Sequence, residues 1–337
     1  MTILALKLLI GALPVLMFLL LLIILDSYKL VGFRFVIKII LWGCGIAILC
    51  LGINSYLIRL MNMSQQPYSR YIAPCTEEFF KSLFIIYLIR RKRVGFLVDA
   101  AIVGFALGAG FAIVENIYNI HKIQSAGMYI WLVRGFGTAV MHGGVTAIFG
   151  IVSKGLSDSR ARETLWVFLP GLGLAILIHS LFNHFFISPE HSTIGLTIGI
   201  PLLMIVVFQQ SERVTRRWLG VGFDSDAELL DMLVTGNISH TKIGEYLNAL
   251  KERFPGESIA DMLCLLRIHL ELSIRAKGIL LAREAGLDIP RDPELEGKFT
   301  ELKYLEHSIG RTGVRAMAPF LHRSSRELWQ LHMLLEQ

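Results

Sequence analysis

Four polar segments interrupt an otherwise apolar sequence: Glu77-Glu78-x-x-Lys81, Glu115-Asn116, Arg134 with His142, and His179 with Asn183 and His184. A charged side chain at bilayer depth costs about 2.5–3.5 kcal/mol on insertion scales, so such groups normally face a bundle interior and serve a function. Desolvation and a nearby cation act oppositely on a carboxylate, so a Glu–Glu–Lys group can keep one carboxylate available as a general base. An imidazole can donate to or accept from a reacting oxygen at neutral pH. An asparagine amide can donate to an oxyanion. Glu77, Glu78, His142, His179 and Asn183 around one water are therefore enough to hydrolyse an amide bond without a covalent intermediate. No serine or cysteine has an evident base partner, although Cys75 lies two residues from Glu77.

Spacing sharpens the set. His179 and Asn183 are four apart and project from one helix face. Glu77 and Lys81 share that spacing, which predicts a pair between them and leaves Glu78 on a neighbouring face. Lys81, Glu115, Asn116 and Arg134 are read as supporting residues, with a snorkelling role at the membrane surface the rival reading for Arg134. His184 points elsewhere, and Asp99 reads as a solvated partner of the basic run before it. A zinc site is the main mechanistic rival, since two histidines and one or two glutamates can hold zinc with an open position. The chain has no His-Glu-x-x-His helix, and the glutamate pair lies on a different helix from either histidine. The metal-free mechanism is favoured, with no cofactor expected.

These residues need helices to position them. The chain has 337 residues, 54% hydrophobic and 18% charged, with mean hydropathy +0.57. A spanning helix takes about 20 mostly apolar residues. Such runs lie at about 4–25, 35–58, 71–90, 96–120, 128–152, 164–187 and 192–210. The first is too long for a signal-peptide core and ends in Asp26 without a small-residue cleavage site, so it reads as a retained helix. The fold class is thus all-α: a polytopic membrane bundle of about seven helices. Gly104-x-x-x-Gly108 and Gly143-Gly144 permit close helix approach.

Residues 1–210 hold 16 Lys and Arg against 8 Asp and Glu, whereas the remainder holds 17 against 19. The basic excess therefore belongs to the membrane part and reports topology. Lys29 with Arg34, the run 90–93, Lys154 with Arg160 and Arg162, and Arg213 with Arg216 and Arg217 fall in alternate loops. That alternation places the N-terminus outside and the C-terminus in the cytoplasm. On this topology the glutamates, Glu115 and His179 all lie toward the outer leaflet, with His142 nearer the midplane. No basic stripe with interleaved aromatics points to nucleic acid. Four dispersed cysteines argue against a disulfide framework.

Two domains follow: residues 1–210 as the membrane domain and 211–337 as a small helical cytoplasmic domain that is regulatory or binds a partner. Ser225-x-x-Glu228 and Ser324-x-x-Glu327 resemble capping boxes that open helices. Apolar residues recur at helical spacing from Ile259 to Leu281, and Pro290 and Pro293 separate helices.

The ordered set Glu77-Glu78-x-x-Lys81, Gly110-Phe111-Ala112-x-x-Glu115-Asn116, His142-x-x-x-Thr146 and His179-x-x-x-Asn183 resembles the PrsW family of intramembrane proteases. More remotely it resembles the CAAX prenyl endopeptidase and bacteriocin-processing superfamily. The resemblance covers about residues 70–187. It implies a glutamate-dependent endopeptidase in a bacterial or archaeal cell membrane, with the paired glutamates activating water and the histidines and Asn183 stabilising the intermediate. It also implies a membrane-anchored, anti-sigma-factor-like substrate cut near the outer face. A proton- or ion-coupled transporter is the alternative, because the same residues describe a proton relay. Against it, the sequence has no internal repeat.

Overall fold

The computed structural model describes residues 3–123, 127–159, 164–184, 186–287, 289–290, 292–321 and 325–335. The described residues are helical, without strands, and divide into two compact units, Met1–Glu212 and Arg213–Gln337. The basic flank residues Arg160 and Arg162 and the expected capping residue Ser324 lie outside the described residues.

In the first unit the helices are α1 (Ile3–Leu25), α2 (Phe33–Leu60), α3 (Ala73–Arg90), α4 (Leu97–Lys122), α5 (Met128–Asp158) and α6 (Leu165–His184). Helix α7 (Pro189–Val234) follows and runs past the boundary at residue 212. Each apolar run of the sequence is represented. Six of the seven helices are long and apolar enough to cross a membrane by length and composition. The exception is α3, an 18-residue helix that carries Glu77, Glu78, Lys81 and Arg90. Of these, Glu78 and Lys81 are buried in the bundle, whereas Arg90 is exposed at the end of the helix.

Helix α4 is the centre of the first unit. Every residue from Val98 to Ala112 is buried, and α4 packs against α5, α2 and α1. Its small residues make this possible, because within lipid helices associate by close packing rather than by expulsion of water. A Cβ on Gly104 would come within 2.6 Å of the Thr146 carbonyl oxygen, and one on Gly108 would collide with the carbonyl oxygen of His142. A Cβ on Gly110 would meet the Ile40 carbonyl on the opposite side. The glycine spacing legible in the sequence is thus the α4–α5 contact, and it fixes the depth of His142. Gly108→Ala should destabilise the fold by about 1–3 kcal/mol through overpacking. Gly199→Ala, where nothing lies within 4 Å, should leave stability near wild type. Thermal unfolding in detergent compares the two.

Two π-helical turns lie close to the polar residues. One, Tyr68–Ile72, leads into α3, and the other, Val133–Ala139, lies within α5. Such turns occur often at functional sites because they redirect side chains within a helix. Asp99 differs from its expected solvated role. It is 1% exposed and caps the start of α4, its Oδ2 accepting from the backbone N–H of Gly95 at 2.8 Å and of Phe96 at 3.2 Å. A carboxylate in the first turn of a helix favours the orphan N–H groups there.

The second unit holds α8 (Lys242–Leu250), α9 (Gly256–Glu284), α10 (Leu295–Ser308), α11 (Gly310–Met317) and α12 (Ser325–Leu335). Its core gathers Met262, Leu265, Leu266, Leu272, Leu280 and Trp329. Pro290 and Pro293 separate α9 from α10, as their placement predicts. Ser225-x-x-Glu228 opens no helix. It lies inside α7, where Ser225 is exposed. A capping sequence starts a helix only where the chain ahead of it stops being helical, and here it does not.

Candidate active site

The cluster is assembled by four helices. From α3 come Glu77, Glu78 and Lys81; from α4, Glu115; from α5, His142; from α6, His179. Glu77 and Glu78 lie in the first turns of α3 and His179 in the last turns of α6, so the site sits toward one end of these two helices. Helix α5 brings its middle to the same place.

Lys81 is fully buried and Glu78 is 2% exposed. The Lys81 Nζ donates to Glu78 Oε1 at 2.5 Å, and His179 Nδ1 meets the same oxygen at 2.8 Å. The pair is therefore Glu78–Lys81, not Glu77–Lys81. Spacings of three and four residues both bring helix side chains together, and the shorter one wins because Glu77 has another partner. Glu77 Oε1 accepts from Asn54 Nδ2 of α2 at 3.1 Å. Its Oε2 lies 4.0 Å from His179 Nε2, and its side chain is 14% exposed, so Glu77 is the more accessible carboxylate of the two.

His142 occupies the other flank. Its Nε2 lies 2.7 Å from Glu115 Oε2 and its Nδ1 lies 3.2 Å from Lys81 Nζ. The two imidazole rings meet edge to face at 4.8 Å between centroids. A carboxylate accepts only, so each histidine is assigned the tautomer that carries its proton toward its glutamate. The lone pairs are then on His179 Nε2 and His142 Nδ1.

Glu115 is no bystander at a helix end. Arg134 donates from Nη2 to Glu115 Oε1 at 3.0 Å and from Nε to Asn116 Oδ1 at 2.8 Å. Asn116 Nδ2 in turn donates to the Gly11 carbonyl of α1 at 2.9 Å. The structure thus turns Arg134 inward to this pair. It lies in the π-helical turn of α5. All the supporting residues expected from the sequence form one connected set with the glutamates and histidines.

Asn183 is held differently. Its Nδ2 donates to the Ser69 carbonyl at 2.8 Å, and Ser180 Oγ donates to the Arg70 carbonyl at 2.7 Å. The end of α6 thereby ties down the π-helical turn before α3. The residues missed in the sequence are Asn54, Tyr68 and Thr76. Asn54 Oδ1 accepts from Tyr68 Oη at 2.9 Å and Thr76 Oγ1 at 2.7 Å. All three are neutral, so no charge in an apolar run marked them.

Glu77, His142 and His179 each offer one ligand atom, and these atoms lie within 4.8 Å of one another. Across residues 32–209 the chain matches the family model described as PrsW family intramembrane metalloprotease. The chain belongs to that family. The match covers more than half of the chain and includes every residue of the cluster, so the PrsW-family assignment and the geometry concern the same helices. No curated protein and no solved structure matches the chain.

Proposed function

We propose that this PrsW-family protein hydrolyses peptide bonds of membrane-anchored proteins at the Glu77–His142–His179 cluster, with a zinc ion held by those three residues. The observation that carries this reading is the convergence of one carboxylate and two imidazoles within 4.8 Å. Two His and one Glu form a donor set that zinc takes, leaving a position open for water. Each imidazole is backed by a carboxylate, Glu78 on His179 and Glu115 on His142. That arrangement fixes ring orientation and raises ligand basicity. The family's description as metalloproteases shifts the weight from the metal-free mechanism to this one.

When bound, the metal lowers the pKa of a water to about 7 and polarises a carbonyl. The protein's own groups do the rest. Glu78 holds His179 with Nε2 toward the site, and Glu115, oriented by Arg134, holds His142. Lys81 is the buried cation of the cluster and supplies positive charge where an oxyanion develops. The Asn183 amide is engaged with Ser69, so we assign it to anchoring the turn before α3 and not to the oxyanion.

One observation favours the metal-free alternative. Lys81 Nζ approaches the His142 lone-pair nitrogen at 3.2 Å, a place that a cation held by this nitrogen would require it to leave. In that alternative Glu77 is the base that activates water, and no metal is needed.

The alternation of basic residues supports a topology with the N-terminus outside and residues 211–337 as a cytoplasmic domain. It also supports cleavage near the outer leaflet. Within that topology the substrate is a membrane-anchored protein of the anti-sigma-factor kind, and the cytoplasmic domain regulates the enzyme or binds a partner. The test is cleavage of a membrane-anchored reporter by the reconstituted protein. Wild type should cut it and Glu77→Gln should not. Equal cleavage by both would contradict the proposal.

A further inference from the structure

We infer that Asn54 is a positioning residue that sets which oxygen of Glu77 enters the site; this rests on the zinc-protease reading of the cluster. Asn54 belongs to α2, which contributes none of the acid, base or ligand groups. Its side-chain amide has one oxygen acceptor and two N–H donors, and at ordinary detail the two ends are told apart only by their partners. Here the partners decide. Tyr68 Oη, on a residue 2% exposed, carries one proton and directs it at Asn54 Oδ1 from 2.9 Å. Thr76 Oγ1 lies 2.7 Å from the same oxygen, closer than its alternative acceptors Ala73 O at 3.0 Å and Ile72 O at 3.4 Å. With its oxygen accepting from two hydroxyls, the amide must present its nitrogen to Glu77. A flipped amide could still donate to the two hydroxyls, but it would set oxygen against carboxylate oxygen at the 3.1 Å contact, so the acceptor-only Glu77 fixes the orientation.

Two consequences follow for Glu77. Its Oε1 is engaged by a donor, so Oε2 is the oxygen left facing His179 Nε2. The carboxylate therefore meets the site through one oxygen and in one rotamer. Among the described residues no lysine or arginine pairs with Glu77, whose ion-pair contact is the 4.0 Å approach of His179. Lys81 goes to Glu78 and Arg134 to Glu115. The Asn54 amide is thus the donor that holds this carboxylate in place. Outer-shell partners of this kind typically change metal affinity or activity by about 10–100-fold when removed. Tyr68 and Thr76 act one step further out, by fixing the amide.

The test uses the full-length protein in detergent, with zinc affinity measured by competition against a chromogenic chelator. Kinetics on the membrane-anchored reporter and thermal unfolding complete the set. Asn54→Ala should weaken zinc binding by about 10–100-fold and lower kcat by a similar factor, with KM unchanged and unfolding near wild type. Asn54→Asp, which faces one carboxylate with another, should weaken zinc binding further. Tyr68→Phe should have a smaller effect in the same direction and carries the test if Asn54→Ala fails to fold. Ser55→Ala is the control on α2, since its exposed hydroxyl donates only to Leu51 O, and it should change nothing. If a folded Asn54→Ala protein keeps wild-type zinc affinity and kcat while wild type binds zinc and cleaves, Asn54 has no positioning role. If wild type itself neither binds zinc nor cleaves, the reading of the cluster fails and this inference falls with it.

Discussion

His179→Ala is expected to lower reporter cleavage by about a thousandfold or more, with the protein still folded. The size follows from position. Loss of an outer-shell partner alone removes about 10–100-fold, and His179 is one of the proposed ligands themselves, with its Nε2 toward Glu77. Its removal also frees the Glu78 oxygen that receives Nδ1. That oxygen keeps Lys81 at 2.5 Å, so no buried charge is left unpaired and the fold should survive. Initial rates in proteoliposomes, paired with thermal unfolding, separate the two effects. A folded variant with more than a tenth of wild-type activity would remove His179 from the reaction.

Lys81→Met should produce the largest loss of stability, about 3–5 kcal/mol, the usual result of removing one partner from a buried pair. Lys81 and Glu78 are both essentially inaccessible, so water cannot screen the charge left on Glu78. The same ammonium also approaches His142 and lies over the Phe111 ring at 4.6 Å. The double variant Lys81→Met/Glu78→Gln should recover most of the stability, because neither partner is then left charged, while remaining inactive. Unfolding of the two single variants and the double variant closes the cycle. Strict additivity would show that the pair is not coupled.

The sequence carried the site further than the details of its bonding. Glu77, Glu78, His142 and His179 stood out because charges and imidazoles are expensive in apolar helices, and the structure gathers them. Gly104 and Gly108 announced the α4–α5 contact through their spacing alone. Which glutamate takes Lys81 was not legible, because offsets of three and four residues both lie on one helix face. The choice depends on Asn54, a neutral residue near the end of α2 with no charge to betray it. Arg134 meets Glu115 and Asn116 from within a π-helical turn, a local geometry that leaves no mark in hydropathy. Ser225-x-x-Glu228 misled for the opposite reason: its local signal is sound, but α7 continues through it.

The central claim is that Glu77, His142 and His179 hold a zinc ion on which cleavage depends. The direct measurement is metal content and reporter cleavage of one purified preparation, before and after treatment with a strong chelator. The account predicts about one zinc per chain, loss of cleavage when the metal is stripped, recovery on adding zinc, and neither zinc nor cleavage in Glu77→Gln. Undiminished cleavage by the stripped protein would contradict it and return the reaction to Glu77 acting on water without a metal.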